Sequence, residues 1–285
     1  MSVRTLLPLL QRLLIVTFLA LVVLDLVEDS ALALWQVFLP LPLAWAVSIA
    51  AGRLSARHIR AADRAPVEVE PPVEGRWSAV NSPADRTPSH GTHVYGQTYA
   101  IDIVAEPEGT ERPGFALLWP VARAPHRFPA FGAPLLAVAE ATVVHAEDGQ
   151  RDHLSRNSLL GVAYLMLVEG ESRGLAGARR VVGNHVVLDL GDGVHAVYAH
   201  VQRGSLAVRA GDRVRPGQVI GRCGNSGNST EPHLHFHLMD GPDLDTARGI
   251  PFSWRGIGVP KGGETFTADR IPGAPSPASP ASPAD

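Results

Sequence analysis

A chain of 285 residues has room for one large domain or two small ones, and a formal net charge of -3 carries no polyelectrolyte signal, so nucleic acid is not an expected partner. Its single cysteine, Cys223, excludes an intrachain disulfide framework and a thiolate zinc cage, without fixing the compartment. Basic charge is carried by arginine, with Lys261 the only lysine.

The first fifty residues differ in kind from the rest. "LLIVTFLALVVLDLV" (Leu13 to Val27) is apolar apart from Thr17 and Asp25, and is short for a span unless the upstream "TLLPLLQR" extends it. "ALALWQVFLPLPLAWAVSIAA" (Ala31 to Ala51) runs uncharged for 21 residues, long enough to cross a bilayer, with Trp35 and Trp45 near its interfaces and Pro40 and Pro42 placed to kink it. The apolar stretch is doubled and has no clear small-residue cleavage site, which predicts a transmembrane helical hairpin over 1–53 rather than a signal peptide; a single span is the alternative. Arg4 and Arg12 before it, and Arg53, Arg57, Arg60 and Arg64 after it, favour cytoplasmic flanks.

Residues 54–76 read as a linker on the Pro- and Glu-rich "APVEVEPPVEGR", and 269–285 as a disordered Pro/Ala/Ser tail. Between them, 77–268 hold short runs such as "PLLAVAEATVVHA", "NHVVLDL", "HAVYAHV" and "HLHFHLM", punctuated by "GDG", "AGD", "RPGQ" and "GNSGN". That rhythm predicts a mainly β, antiparallel domain. "SLLGVAYLMLVEGESRGL" (Ser158 to Leu175) interrupts it and reads as a helix packed on the side of the sheet.

In "EPHLHFHL" a strand would set His233, His235 and His237 on one face, opposite Leu234, Phe236 and Leu238. The histidine face is either a wet surface or the wall of a metal site. Without thiolates, zinc takes imidazole and carboxylate, so about three N/O ligands are needed if a position is to stay open for water. "PSHGTHVYGQTYAID" offers His90, His93 and Asp102, with Ile101 and Ile103 pointing away from Asp102. His200 ends the strand-like "HAVYAHV", where an imidazole is well placed for proton transfer or for holding an oxyanion. No His-Glu-x-x-His helix is present.

Taken together, "SH…YAID", "VYAHV" and "GNSGNSTEPHLHFHL" resemble the signature segments of the lysostaphin-type (LytM-like) zinc metallopeptidases, over most of residues 77–240 and in the same order. The resemblance implies a barrel-sandwich-like β fold, a bound Zn2+, and a peptidoglycan peptide as substrate, hence a catalytic domain outside the cytoplasm, against the arginine distribution. It implies His90, Asp102 and His235 as ligands and His200 and His233 as catalytic histidines. The family's usual His-x-x-x-Asp spacing is not kept here: the "SH" context favours His90 as first ligand, the shorter reach favours His93. His237 falls outside that core site, His185 in "HVVLDL" reads as a residue supporting the ligands from behind or lining the cleft, and His126, His145, His153 and His195 read as surface or structural.

Two rivals remain in view. Lipoyl-type carrier modules need a lysine at a hairpin tip, and Lys261 lies beyond the last strand. A non-catalytic LytM-like domain, binding cell wall or activating an amidase, is the alternative function; such relatives usually lose ligands.

Overall fold

The computed structural model describes residues 3–28, 32–60 and 64–271, and the chain divides into two units, 1–63 and 64–285. In the first unit, α1 (Val3–Glu28) packs on α3 (Pro40–Arg60), with the short α2 (Leu34–Phe38) leading into α3. The Phe18 ring meets Phe38 at 5.5 Å between centroids. The expected kink is a break at Leu39, and Pro40 becomes the first residue of α3, where its fixed φ and missing N–H cost nothing. The windows Leu9–Val27 and Leu34–Ala51 are long and apolar enough to cross a bilayer.

The second unit is mainly antiparallel β. Its strands are β1 (Val67–Val69), β2 (Gly75–Asn81), β3 (Ile101–Ala105), β4 (Pro134–Leu136), β5 (Ala141–Glu147), β6 (His185–Asp189), β7 (His195–Ala199), β8 (Arg213–Val214), β9 (Val219–Arg222), β10 (Leu234–Met239), β11 (Gly249–Ile250), β12 (Phe252–Trp254) and β13 (Thr265–Ala268). A nine-stranded sheet runs in the order β13-β2-β3-β10-β7-β6-β5-β8, with β11 on β10. Two small pairs, β4 with β9 and β1 with β12, stack over it, the latter parallel.

Period-two alternation sorts the central strands cleanly. Ile101, Ile103, Val186, Leu188, Tyr198, Leu234, Phe236 and Leu238 fill one core between the large sheet and the small pairs. Phe236 is fully buried there among Tyr198, Phe252 and Trp254, with ring centroids 5.3, 5.2 and 6.1 Å away. The Tyr198 hydroxyl accepts the Val138 N–H at 3.0 Å and so ties the layers together. Val187, Val197, Ala199 and Met239 face the other way, into a smaller cluster. The histidines of "HLHFHL" share that second face. They are buried, so the face is no wet surface.

Two expectations need correction. Within the presumed linker 54–76, β1 pairs with β12, β2 begins at Gly75, and Val69 and Val73 are buried in the core. Glu68 and Glu74 face solvent but Pro71 and Pro72 are buried, so this composition does not mark free chain; residues 61–63 lie outside the described residues. The Ser158–Leu175 segment is helical but broken into α4 (Leu159–Tyr164), a π turn (Leu165–Glu169) and α5 (Gly170–Ala176), followed by α6 (Ala178–Val182). It does not pack as one apolar helix: Leu165 is buried, whereas Leu160, Met166, Leu167, Val168 and Leu175 are exposed. The tail beyond Ile271 lies outside the described residues.

Candidate metal centre

Asp102 on β3 stands directly opposite His235 on β10 in the antiparallel register. Cross-strand partners have Cβ atoms only about 5 Å apart, so both side chains rise together from one face. His235 Nδ1 lies 2.9 Å from Asp102 Oδ1. The loop before β3 brings His90 over the same carboxylate, with Nε2 2.8 Å from Oδ2. One ligand atom from each of the three lies within 4.8 Å of the others.

The supporting bonds decide which nitrogens are free. The Ser89 hydroxyl donates to the Ala100 carbonyl at 2.6 Å and lies 3.0 Å from His90 Nδ1. Its proton is thus committed, so it accepts the Nδ1–H, and His90 Nε2 presents a lone pair toward Asp102. Asn81 Nδ2 donates to Asp102 Oδ2 at 2.8 Å. His90 Nε2, an Asp102 oxygen and, once deprotonated, His235 Nδ1 make a hard-to-borderline N/O donor set that fits zinc. His93 turns away, its Nδ1 3.1 Å from Thr98 Oγ1.

His200 follows β7 with φ 60, a left-handed backbone costly for a residue with a Cβ and often found where function over-determines the conformation. Its Nδ1–H donates to the Ser226 carbonyl at 2.8 Å, leaving Nε2 unprotonated. Its ring lies 4.8 Å from that of His233 and 5.8 Å from that of His235. His233 Nδ1–H donates to the Glu231 carbonyl at 2.8 Å, and its Nε2 is 3.6 Å from Asp102 Oδ1. The Glu231 carboxylate is itself held by Arg112 and by Asn157 Nδ2.

Burial alone would raise the Asp102 carboxyl, but the His90 and His233 imidazoles and the hydrogen bonds from His233 and His235 hold it well below the usual carboxylate range. Burial pushes His200 well down, with His233 and His235 adding to the effect.

Sequence reading overlooked Ser89, Asn81 and the contact made by His237. His237 is fully buried with Nδ1 3.3 Å from His235 Nε2, as its position two residues on in the same strand could have signalled. His185 is not brought to this cluster: its Nδ1–H donates to the Gly183 carbonyl at 2.8 Å and its ring stacks on His145 at 4.5 Å.

Residues 172–246 match the sequence profile described as Peptidase family M23. The chain carries a peptidase family M23 domain. The matched span of this M23 domain includes His200, His233 and His235, while His90 and Asp102 lie upstream of it. Among curated relatives, "Glycyl-glycine endopeptidase ALE-1" of Staphylococcus capitis is 48% identical over 58 residues, covering 20% of this chain and 16% of its own. "Lysostaphin" of Staphylococcus simulans is 38% identical over 87 residues, covering 30% of this chain and 17% of its own. "Peptidoglycan DD-endopeptidase ShyA" of Vibrio cholerae is 40% identical over 57 residues, 20% of this chain and 13% of the relative. The chain therefore spans less than a fifth of these relatives' lengths. The crystallised catalytic domain of lysostaphin from Staphylococcus simulans aligns with 55% of this chain and 86% of its own at 21% identity and a TM-score of 0.30.

Proposed function

We propose that the M23 domain is a zinc-dependent endopeptidase that hydrolyses peptide bonds in peptidoglycan cross-bridges. The observation carrying this is the convergence of His90, Asp102 and His235 within 4.8 Å, with His200 and His233 alongside. The names of two relatives, a glycyl-glycine endopeptidase and a peptidoglycan DD-endopeptidase, support the reaction class, and the second supports the substrate.

In this reading His90 Nε2, Asp102 and His235 Nδ1 hold the ion, and Ser89 and Asn81 orient His90 and Asp102. When bound, zinc would supply Lewis acidity toward the scissile carbonyl and lower the pKa of water toward about 7. His200 Nε2, with its lone pair fixed by the Ser226 contact, accepts the proton of the attacking water. Burial alone would lower the His233 pKa, but the Asp102 carboxylate facing its Nε2 raises it, so His233 keeps a proton on Nε2 to steady the developing oxyanion, and His200 passes the proton it took from the water to the leaving amine. His237 backs His235 from behind the site.

The two apolar helices act as a membrane anchor in this proposal, with the domain outside the cytoplasm where the substrate is, an orientation that the arginines at 53–64 oppose. Reporter fusions at the C-terminus read that orientation directly. The activity is tested by incubating the purified full chain with sacculi and weighing the released fragments by mass spectrometry. Release of cross-bridge peptides that stops in His235→Ala supports the reading; intact sacculi together with no zinc in the protein would leave a non-catalytic wall-binding module.

A further inference from the structure

We propose that His145, Glu147 and His185 form a second binding site for a borderline transition-metal dication such as Zn2+. Three features of the sheet assemble it. His145 and Glu147 are two residues apart on β5, beyond the bulge at Val143, and therefore share a face. His185 on β6 stands directly opposite Glu147 in the register. One ligand atom from each lies within 4.8 Å of the others.

The hydrogen bonding leaves the ligating atoms free. His185 gives its Nδ1–H to the Gly183 carbonyl, the arrangement that aims Nε2 of a ligand histidine at an ion. His185 is 1% exposed, and its ring stacks on His145 with 25° between planes. Gln150 Nε2 donates to Glu147 Oε1 at 3.2 Å, which leaves Oε2. That oxygen is 3.7 Å from His145 Nε2, too far for a hydrogen bond. His145 Nε2 is buried and has no hydrogen-bond partner among the described residues. A buried ring nitrogen left unpaired is costly, and an ion between it, Oε2 and the second imidazole would satisfy all three.

The surroundings suit a cation. A cavity of about 270 Å³ opens over the cluster, lined also by Asp243, Asp245 and Arg179. Asp243 and Asp245 outnumber its one arginine. Two nitrogen donors select zinc, nickel, cobalt or copper over magnesium and calcium.

The site is separate from the M23 centre although it rises from the same face. The row Asp102, His235, Ala199 crosses β3, β10 and β7. Tyr198 faces Val186, so one residue further Ala199 faces His185, which in turn faces Glu147. His235 and His185 thus sit two strands apart, about 10 Å at the usual strand spacing, and their ligand atoms fall in two separate groups.

The test is metal stoichiometry, which does not depend on activity. Full chain is purified in detergent, stripped with chelator, reloaded with Zn2+, desalted and assayed by elemental mass spectrometry. About two zinc ions per chain are expected, about one in either His145→Ala or His235→Ala, and none in the double variant. Glu147→Gln, which keeps the side-chain shape on a half-exposed strand position, serves as a second variant whose circular dichroism verifies the fold. A wild type with about one zinc that His235→Ala abolishes and His145→Ala leaves in place overturns the inference. One zinc lost only in His145→Ala or Glu147→Gln upholds it and instead refutes the assignment of the M23 centre.

Discussion

Ser89 and His90, adjacent in sequence, are coupled so that the hydroxyl accepts from the imidazole while donating to the Ala100 carbonyl at 2.6 Å. This fixes the His90 tautomer with its lone pair toward Asp102. Ser89→Ala removes the acceptor and lets the ring rotate and tautomerise. Zinc affinity should weaken about 10- to 100-fold, the usual effect of losing a bond to a ligand histidine. Competition with a chelating dye measures it, and unchanged affinity would show that the ring is held by packing alone.

His200 and His233 touch the proposed reaction centre without being ligands, so metal content and turnover should separate. His200→Ala is expected to keep its zinc and lose about 10²- to 10⁴-fold in peptide hydrolysis, the range for a removed proton-transfer group. Elemental analysis beside fragment release from sacculi reads both. If His200→Ala loses metal as His235→Ala does, the division of roles is wrong.

Parity made half of this site legible in advance. The alternation in "HLHFHL" and "YAID" put His235 and Asp102 opposite apolar partners, and the cores bear that sorting out. Their adjacency depends on a register between strands more than a hundred residues apart, which only the family resemblance supplied. Asn81 was invisible because the register shifts between Ala79 and Asn81, so strand parity fails where it reaches Asp102. The misread linker fails for a similar reason: β1 finds its partner in β12, about 185 residues downstream, and local composition carries no trace of that pairing.

The end of α6 with the turn after it (181–184) and the loop 225–228 meet backbone to backbone, and glycine is what permits it. A Cβ on Gly227 would come within 2.5 Å of Gly183 N and Val181 O, and its φ is +71. Gly227→Ala should therefore destabilise by more than the ~1 kcal/mol of left-handed strain alone. It should also slacken the Ser226 carbonyl that orients His200. Chemical denaturation measures the first effect. A loss below that figure would mean that the loops part at little cost.

Phe236 carries the core between two site histidines. Phe236→Ala empties a fully buried position ringed by Tyr198, Phe252 and Trp254, and should cost about 3–5 kcal/mol. Leu167→Ser, on the exposed face of the π turn, should stay within about 0.5 kcal/mol. Denaturant midpoints compare them directly, and a large loss for Leu167→Ser would reveal that the face is covered in the native protein.

The second clamp on the 225–228 loop is His153, 2.8 Å from the Gly227 carbonyl through Nε2, while its backbone carbonyl accepts from Asn225 Nδ2 at 2.7 Å. Burial lowers its pKa below the ordinary 6.5, outweighing the hydrogen bonds to Leu154 and Gly227 that raise it. The unfolded chain then binds more protons than the folded one between the two values, so stability rises with pH there. The contribution of His153 is complete above about 6.5 and fades as pH falls through that value toward the lower, folded one. His153→Gln removes the titration while keeping a donor. On going from pH 7.5 to 5.5, the wild type should lose more melting temperature than His153→Gln does. Equal losses would mean that the ring protonates in place at no cost, its folded pKa matching the unfolded one.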